Sequence, residues 1–174
     1  MTLPELICAA VVSLGMPNAD MACEHMELLV DVAEQESVDP LVLTALIHVE
    51  SRWTPGARSR SNACGLTQVL PKYSGGFRGR FGKKLTCKQL FNPETSIRRG
   101  TAILAYYVKK YRRNYRRSLC SYNAGPSRCR PGRAKHKGHR YASRVMKLSR
   151  RLHREIKIVE REWKESEYVP GCYE

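Results

Sequence analysis

Residues 39–53 read DPLVLTALIHVESRW. Asp39 can accept hydrogen bonds from the first free amides of a helix, and Pro40 fits its first turn, where no N–H is needed. The run that follows is apolar until a single carboxylate, Glu50, so other parts of the chain must cover it. That requirement points to a packed helical core, and 174 residues with 42% hydrophobic content are enough for one compact domain. Glu50 follows Ile47 by three and Leu46 by four, which puts its carboxyl on an apolar face near the helix C-terminus. Desolvation and the negative helix end both disfavour the ionised form, so the proton should be held more tightly than in a free Glu. Such a carboxyl suits general-acid chemistry near neutral pH; an ion pair with one of the many arginines is the alternative.

The formal net charge of +15 is unevenly spread. Residues 1–50 carry −9 and contain no Lys or Arg, residues 51–154 carry +27 with Glu94 as their sole acid, and residues 155–174 carry −3. A middle segment this cationic implies an anionic partner, either nucleic acid, an anionic membrane or an acidic cell-wall polymer, unless it serves only solubility. No apolar run is long enough to span a bilayer, and residues 1–16 lack the positive start of a secretory leader. A protein of this kind working outside the cytoplasm is expected to be carried there by other means.

Seven cysteines leave at least one unpaired if the rest form disulfides. Cys64 with Cys87 and Cys120 with Cys129 are candidate local pairs, though four cysteines allow three pairings and buried free thiols are the alternative. No C-x-x-C occurs, and the HVE at His48 to Glu50 lacks the cysteine half of a zinc-deaminase signature. No metal or cofactor is expected.

The remaining pattern is almost all helix. Thr2 and Pro4 start a helix over 3–14 that Gly15 stops, and apolar spacing through Met26, Leu29, Val30 and Ala33 predicts a second over 20–35. Residues 54–90 are rich in Pro, Gly, Ser and basic residues and read as a basic loop or small β region. Asn92 and Pro93 open a further helix with Glu94 near its positive end, and a shorter one stops at Asn123-Ala124-Gly125-Pro126. The last helix carries Tyr141, Val145, Leu148, Leu152, Ile156, Val159 and Trp163 at steps of three and four, a stripe that could dock on the core or on another protein. The chain divides accordingly into an acidic helical segment (1–37), a central domain (38–153) and a helical extension with a tail (154–174).

The stretch after the acid, ESRWTPGARSRSNACGLTQVLP, resembles the signature of the family-1 soluble lytic transglycosylases, relatives of goose-type lysozyme. Glu50, Ser51, Pro55, Ala57, Ser59, Ala63, Gly65, Leu66, Gln68 and Pro71 match without a gap. NPETSIRRG resembles the family's next helix start, SYNAG its Tyr-Asn-Ala-Gly element, and Tyr141 its last tyrosine, so the likeness covers about residues 38–150 in the family's order. The chain departs from the pattern at Asn62, Cys64, Thr67 and Ser121, which alters the loop but removes no group the chemistry needs.

The resemblance implies a mainly α, lysozyme-like domain that cleaves peptidoglycan glycan strands with Glu50 as its one acid and base, giving 1,6-anhydro-N-acetylmuramic acid ends. It implies that Ser51, Gln68, Tyr122, Asn123 and Tyr141 face the substrate. Each also has a plainer reading: Ser51 as a helix-end cap, Gln68 as a loop brace, Tyr122 and Tyr141 as core, Asn123 as a cap. Glu94, the only other acid in the matched region, suits a helix N-terminus better than catalysis. A goose-type muramidase using water, and a basic virion protein that kept the fold without activity, are the competing readings. The basic, small profile resembles phage lysins and virion-associated wall enzymes, with other virion proteins as partners through the terminal helices and the host cell wall as the place of action. Nucleic acid is not the expected partner.

Overall fold

The computed structural model describes residues 1–76, 79–130 and 137–167. Helix α1 (Leu3–Ser13) opens with a capping box, in which Thr2 takes the Glu5 amide and the Glu5 carboxylate accepts from the Thr2 amide. The single helix expected over 20–35 is two, α2 (Ala19–Glu24) and α3 (Met26–Gln35), meeting at His25. His25 leaves helical geometry at φ −110°, ψ 10°, and re-aims α3 so that Met26, Leu29, Val30 and Ala33 are buried. Without Pro or Gly at the break, periodicity could not reveal it. A disulfide between Cys8 and Cys23 ties α2 to α1, a pair the sequence did not single out.

Helix α4 (Pro40–Ser51) is the one read from DPLVLTALIHVES, with the Asp39 carboxylate accepting from the Leu41 and Val42 amides at 2.8 and 3.3 Å. Leu41 to Ile47 are all buried, so the helix is enclosed on every side. It packs against α3 and against the 31-residue α8 (Lys137–Glu167), which also lies along α1 and α7 (Tyr115–Ala124). One cluster of buried side chains runs from Ile7 to Leu152 and takes in all of these elements. On the stripe of α8, Tyr141, Val145 and Leu152 are buried, while Ile156, Val159 and Trp163 are only partly covered.

Between α4 and α6 (Pro93–Lys110) the chain is mostly loop, and the strand alternative reduces to two isolated bridges that pair Cys64 with Arg58 and with Val69. The loop also holds a 3-10 turn (Pro71–Tyr73) and a one-turn helix, α5 (Cys87–Leu90), that the composition of the segment concealed. Two glycines let this loop be pressed flat. A Cβ at Gly65, whose φ is +78°, would overlap the Leu90 carbonyl, and one at Gly100 of α6 would overlap the Thr67 side chain. Disulfides join Cys64 to Cys87 and Cys120 to Cys129, while Cys172 lies outside the described residues.

Candidate active site

Glu50 is the second-last residue of α4. Beyond Ser51 the chain reverses through Arg52 and Trp53, both left-handed at φ 50° and 60°. Two such residues cost on the order of 1 kcal/mol each and need support from their surroundings. The Asn18 side-chain amide donates to the Arg52 carbonyl at 2.7 Å, and the Trp53 ring is wholly buried, so the N-terminal helices hold the turn that follows the acid.

The reversal leads into the loop that Tyr122, which feels the Glu50 charge, ties to α7. There Cys64 and Val69 exchange backbone hydrogen bonds at 3.0 and 3.1 Å, and the Gly65 amide donates to the Ala57 carbonyl at 2.9 Å. Thr67 is locked to Ser96 of α6 through its amide, at 3.1 Å, and its hydroxyl, which donates to the Ser96 carbonyl at 2.8 Å. The Thr67 carbonyl then accepts from the Tyr122 hydroxyl at 2.7 Å, which links α7 to the loop.

Above the acid, α8 places the Tyr141 hydroxyl 2.6 Å from Glu50 Oε1, donating to it. Tyr141 is 4% exposed, so this bond crosses a nearly dry space. Burial pushes the Glu50 proton affinity up to about 7, against the opposing pull of the Tyr141 hydrogen bond and the Arg144 charge. Glu50 keeps an edge open to solvent even though protein encloses most of it. Burial, followed by the Glu50 charge, also holds Tyr122 and Tyr141 well above the ordinary phenol range, so both stay neutral donors. The arrangement can give up a proton near neutral pH and take it back.

The other residues singled out from sequence sit in varied settings. The Ser51 hydroxyl is buried and donates to the Ile47 carbonyl one turn back, at 3.2 Å. Gln68, left-handed at φ 51°, donates its amide to the Ala57 and Gly65 carbonyls at 3.0 and 2.9 Å. That bracing commits the nitrogen of Gln68 to the loop and leaves its oxygen for an incoming donor. Asn123 is exposed near the end of α7. His48 has a lowered proton affinity, from burial and then from Arg52, and is neutral at pH 7. Among the described residues no group of three His, Cys, Asp or Glu could hold a metal ion.

Sequence reasoning missed the Thr67 carbonyl, Asn18 and Arg144. Arg144 had a usable signal, because it lies three residues after Tyr141 on the same helix; the other two depend on contacts between distant segments.

Residues 38–153 hold two acids besides Glu50, and both have other roles in the structure. Glu94 lies exposed on the first turn of α6, paired with Arg98 at 2.8 Å. Asp39 caps the far end of α4, about 16 Å away along a helix rising 1.5 Å per residue. Paired-carboxylate glycosidases need separations below about 10 Å. Fold and site together describe a helical domain in which α4 ends at a carboxyl that holds its proton up to about pH 7. Residues 27–144 match the family described as the Transglycosylase SLT domain, and the chain belongs to that family.

Among its relatives, the membrane-bound lytic murein transglycosylase E of Buchnera aphidicola is 30% identical over 89 residues, covering 49% of this chain and 40% of that protein. The soluble lytic murein transglycosylase of Escherichia coli K12 is 35% identical over 92 residues, covering 49% of this chain but 14% of that protein. The matches therefore span well under two thirds of those relatives. An inactive mutant of the lytic transglycosylase Slt from Pseudomonas aeruginosa superposes with a TM-score of 0.70 at 21% identity, over 88% of this chain and 30% of that one. The 70 kDa soluble lytic transglycosylase of Escherichia coli gives 0.61 at 22% identity, over 77% and 26%. At these identities the structural likeness is one of fold.

Proposed function

We propose that this protein is a peptidoglycan lytic transglycosylase in which Glu50 acts first as acid and then as base. The observation that carries the reading is the Glu50 carboxyl, with a proton affinity near 7, held under the Tyr141 hydroxyl. Glu50 gives its proton to the oxygen between N-acetylmuramic acid and N-acetylglucosamine as the bond from that oxygen to C1 breaks. The cationic C1 is relieved by the substrate's own N-acetyl carbonyl. The C6 hydroxyl of the same sugar then bonds to C1 and its proton returns to Glu50, closing the 1,6-anhydro ring and restoring the starting state. While Glu50 is ionised, the Tyr141 hydroxyl and the Arg144 charge stabilise it, and burial favours the return of the proton.

In this reading the Gln68 oxygen accepts from a sugar amide or hydroxyl and Tyr122, Asn123 and Tyr141 face the substrate, while Ser51 holds the end of α4. The +27 segment concentrates the enzyme on the carboxylates of the wall in a salt-dependent way. That charge also supports a virion-associated or lytic role in a phage, acting on the host wall with virion partners at the terminal helices. Among the described residues, no helix is long and apolar enough to cross a membrane.

Mass spectrometry of the fragments released from purified peptidoglycan tests the chemistry. Anhydro ends are expected. Reducing ends would replace the reading with a muramidase, and release by Glu50→Gln at the parent rate would remove Glu50 from the mechanism.

A further inference from the structure

The basic segment has almost nothing of its own to pair with. Among the described residues of 51–154, the one carboxylate ion pair is Arg98 with Glu94. Several other cations are instead held by aromatic rings in one continuous row. Arg80 lies 5.0 Å over the Tyr106 ring, and Lys110 lies between rings, 5.5 Å from Tyr106 and 6.0 Å from Tyr111. Arg117 of α7 covers Tyr111 at 4.4 Å. The row therefore alternates cation and ring from the loop near Gly82, across the end of α6, to α7. Phe81 braces Tyr106 edge-on at 6.1 Å, and Tyr107 stacks on Tyr111 with planes 7° apart. Arg117 Nε is withdrawn from solvent and has no hydrogen-bond partner among the described residues, so the ring holds that guanidinium in place.

We propose that this ladder binds the carboxylates on the peptide stems of the same strand whose sugar backbone lies at Glu50. The inference rests on the peptidoglycan reading and adds the part of the substrate that a second surface recognises. α7 links the two surfaces: Tyr111 Oη accepts from Ser121 Oγ at 3.2 Å, and the next residue, Tyr122, feels the Glu50 charge and donates to the Thr67 carbonyl. A strand lying along Glu50 would carry its charged branches past this wall of α6 and α7. The rings are half-buried and their faces are already occupied by cations, so the row offers fixed charge and little open surface on which bases could stack. That favours carboxylates on a flexible branch over single-stranded nucleic acid. Fixing the cations on rings lowers the freedom they lose on binding.

The test uses the full chain and fluorescently labelled glycan strands. One set carries intact peptide stems, another has its carboxylates converted to amides, and binding and cleavage are read separately. Arg80 and Lys110 are exposed, so R80Q/K110Q should fold normally; R60Q/K88Q removes the same charge from exposed positions outside the row. For stemmed strands R80Q/K110Q should weaken binding and raise KM about tenfold with kcat unchanged, as expected for two surface charge pairs. The control pair should change either by less than about twofold. Amidated strands should bind parent and R80Q/K110Q alike, and Tyr106→Leu, which keeps the charges but frees them, should give part of the loss.

Equal effects in the two double variants, or equal effects on amidated and stemmed strands, would overturn the proposal. So would a variant that loses binding to single-stranded DNA while its glycan KM stays put. A parent that binds stemmed strands through the ladder yet cleaves none would refute the enzymatic reading and leave the ladder standing.

Discussion

Replacing Glu50 by Gln should stabilise the fold while abolishing the chemistry, and the pH at which it does so is set by the site. In the folded protein Glu50 titrates near 7, against an ordinary value of 4.5. Between those two values the folded protein keeps a proton that the unfolded chain has released. The stability contributed by the protonated carboxyl is therefore complete below pH 4.5, falls by about 1.4 kcal/mol per pH unit, and is gone above 7. Over the whole window the loss is about 3 kcal/mol. Gln cannot ionise, and its oxygen can still accept from Tyr141, so the variant has no such loss. Parent and variant should match near pH 4.5, and the variant should lead by about 3 kcal/mol at pH 8, or about 6–12 °C in Tm for a chain of this size. Urea unfolding of both proteins across this range, with each midpoint and slope fitted, measures the difference directly. A gap that does not widen between pH 4.5 and 7, or a variant less stable than the parent at alkaline pH, would refute a desolvated carboxyl at position 50. Glycan cleavage by the variant should fall at least about 100-fold, since the proposed mechanism draws its proton from Glu50.

Tyr141→Phe removes the hydroxyl whose hydrogen bond lowers the Glu50 proton affinity, so the alkaline limb of the pH–rate profile should move to higher pH while the maximal rate falls. Gly65→Ala should cost more than about 3 kcal/mol in thermal unfolding, since the position needs positive φ and the added carbon would overlap the Leu90 carbonyl. Tyr122→Phe leaves the Thr67 carbonyl without its donor and should cost about 1–3 kcal/mol. Asp39→Ala strips the cap of α4 and should cost about 1 kcal/mol with little change in activity, since the cap lies a helix length from the acid.

Much of the architecture could be read from local chemistry. Asp39-Pro40 and Asn92-Pro93 mark helix starts because the cap satisfies free amides within a few residues, and such signals carry their structure with them. The position of Glu50 on an apolar helix face near a C-terminus, with the direction of its proton affinity, was likewise a matter of spacing along one helix. The break at His25 was not legible, because no local residue forces it and packing of α3 decides it. Nor were the short helix of Cys87–Leu90 and the bond between Cys8 and Cys23, which depend on approach between segments.

By itself, then, the sequence determined where the main helices start, that few acids stand among many cations between 41 and 154, and in which direction an apolar helix face would push the Glu50 proton affinity. Only the tertiary structure decided what surrounds Glu50. Tyr141 comes to it from 91 residues away, Tyr122 reaches the loop across 55, and Asn18 steadies the turn behind it across 34. Helix propensity and capping act over three or four residues, whereas a hydrogen bond inside a site is available only once burial of α4 has brought α7, α8 and the loop onto one end of it.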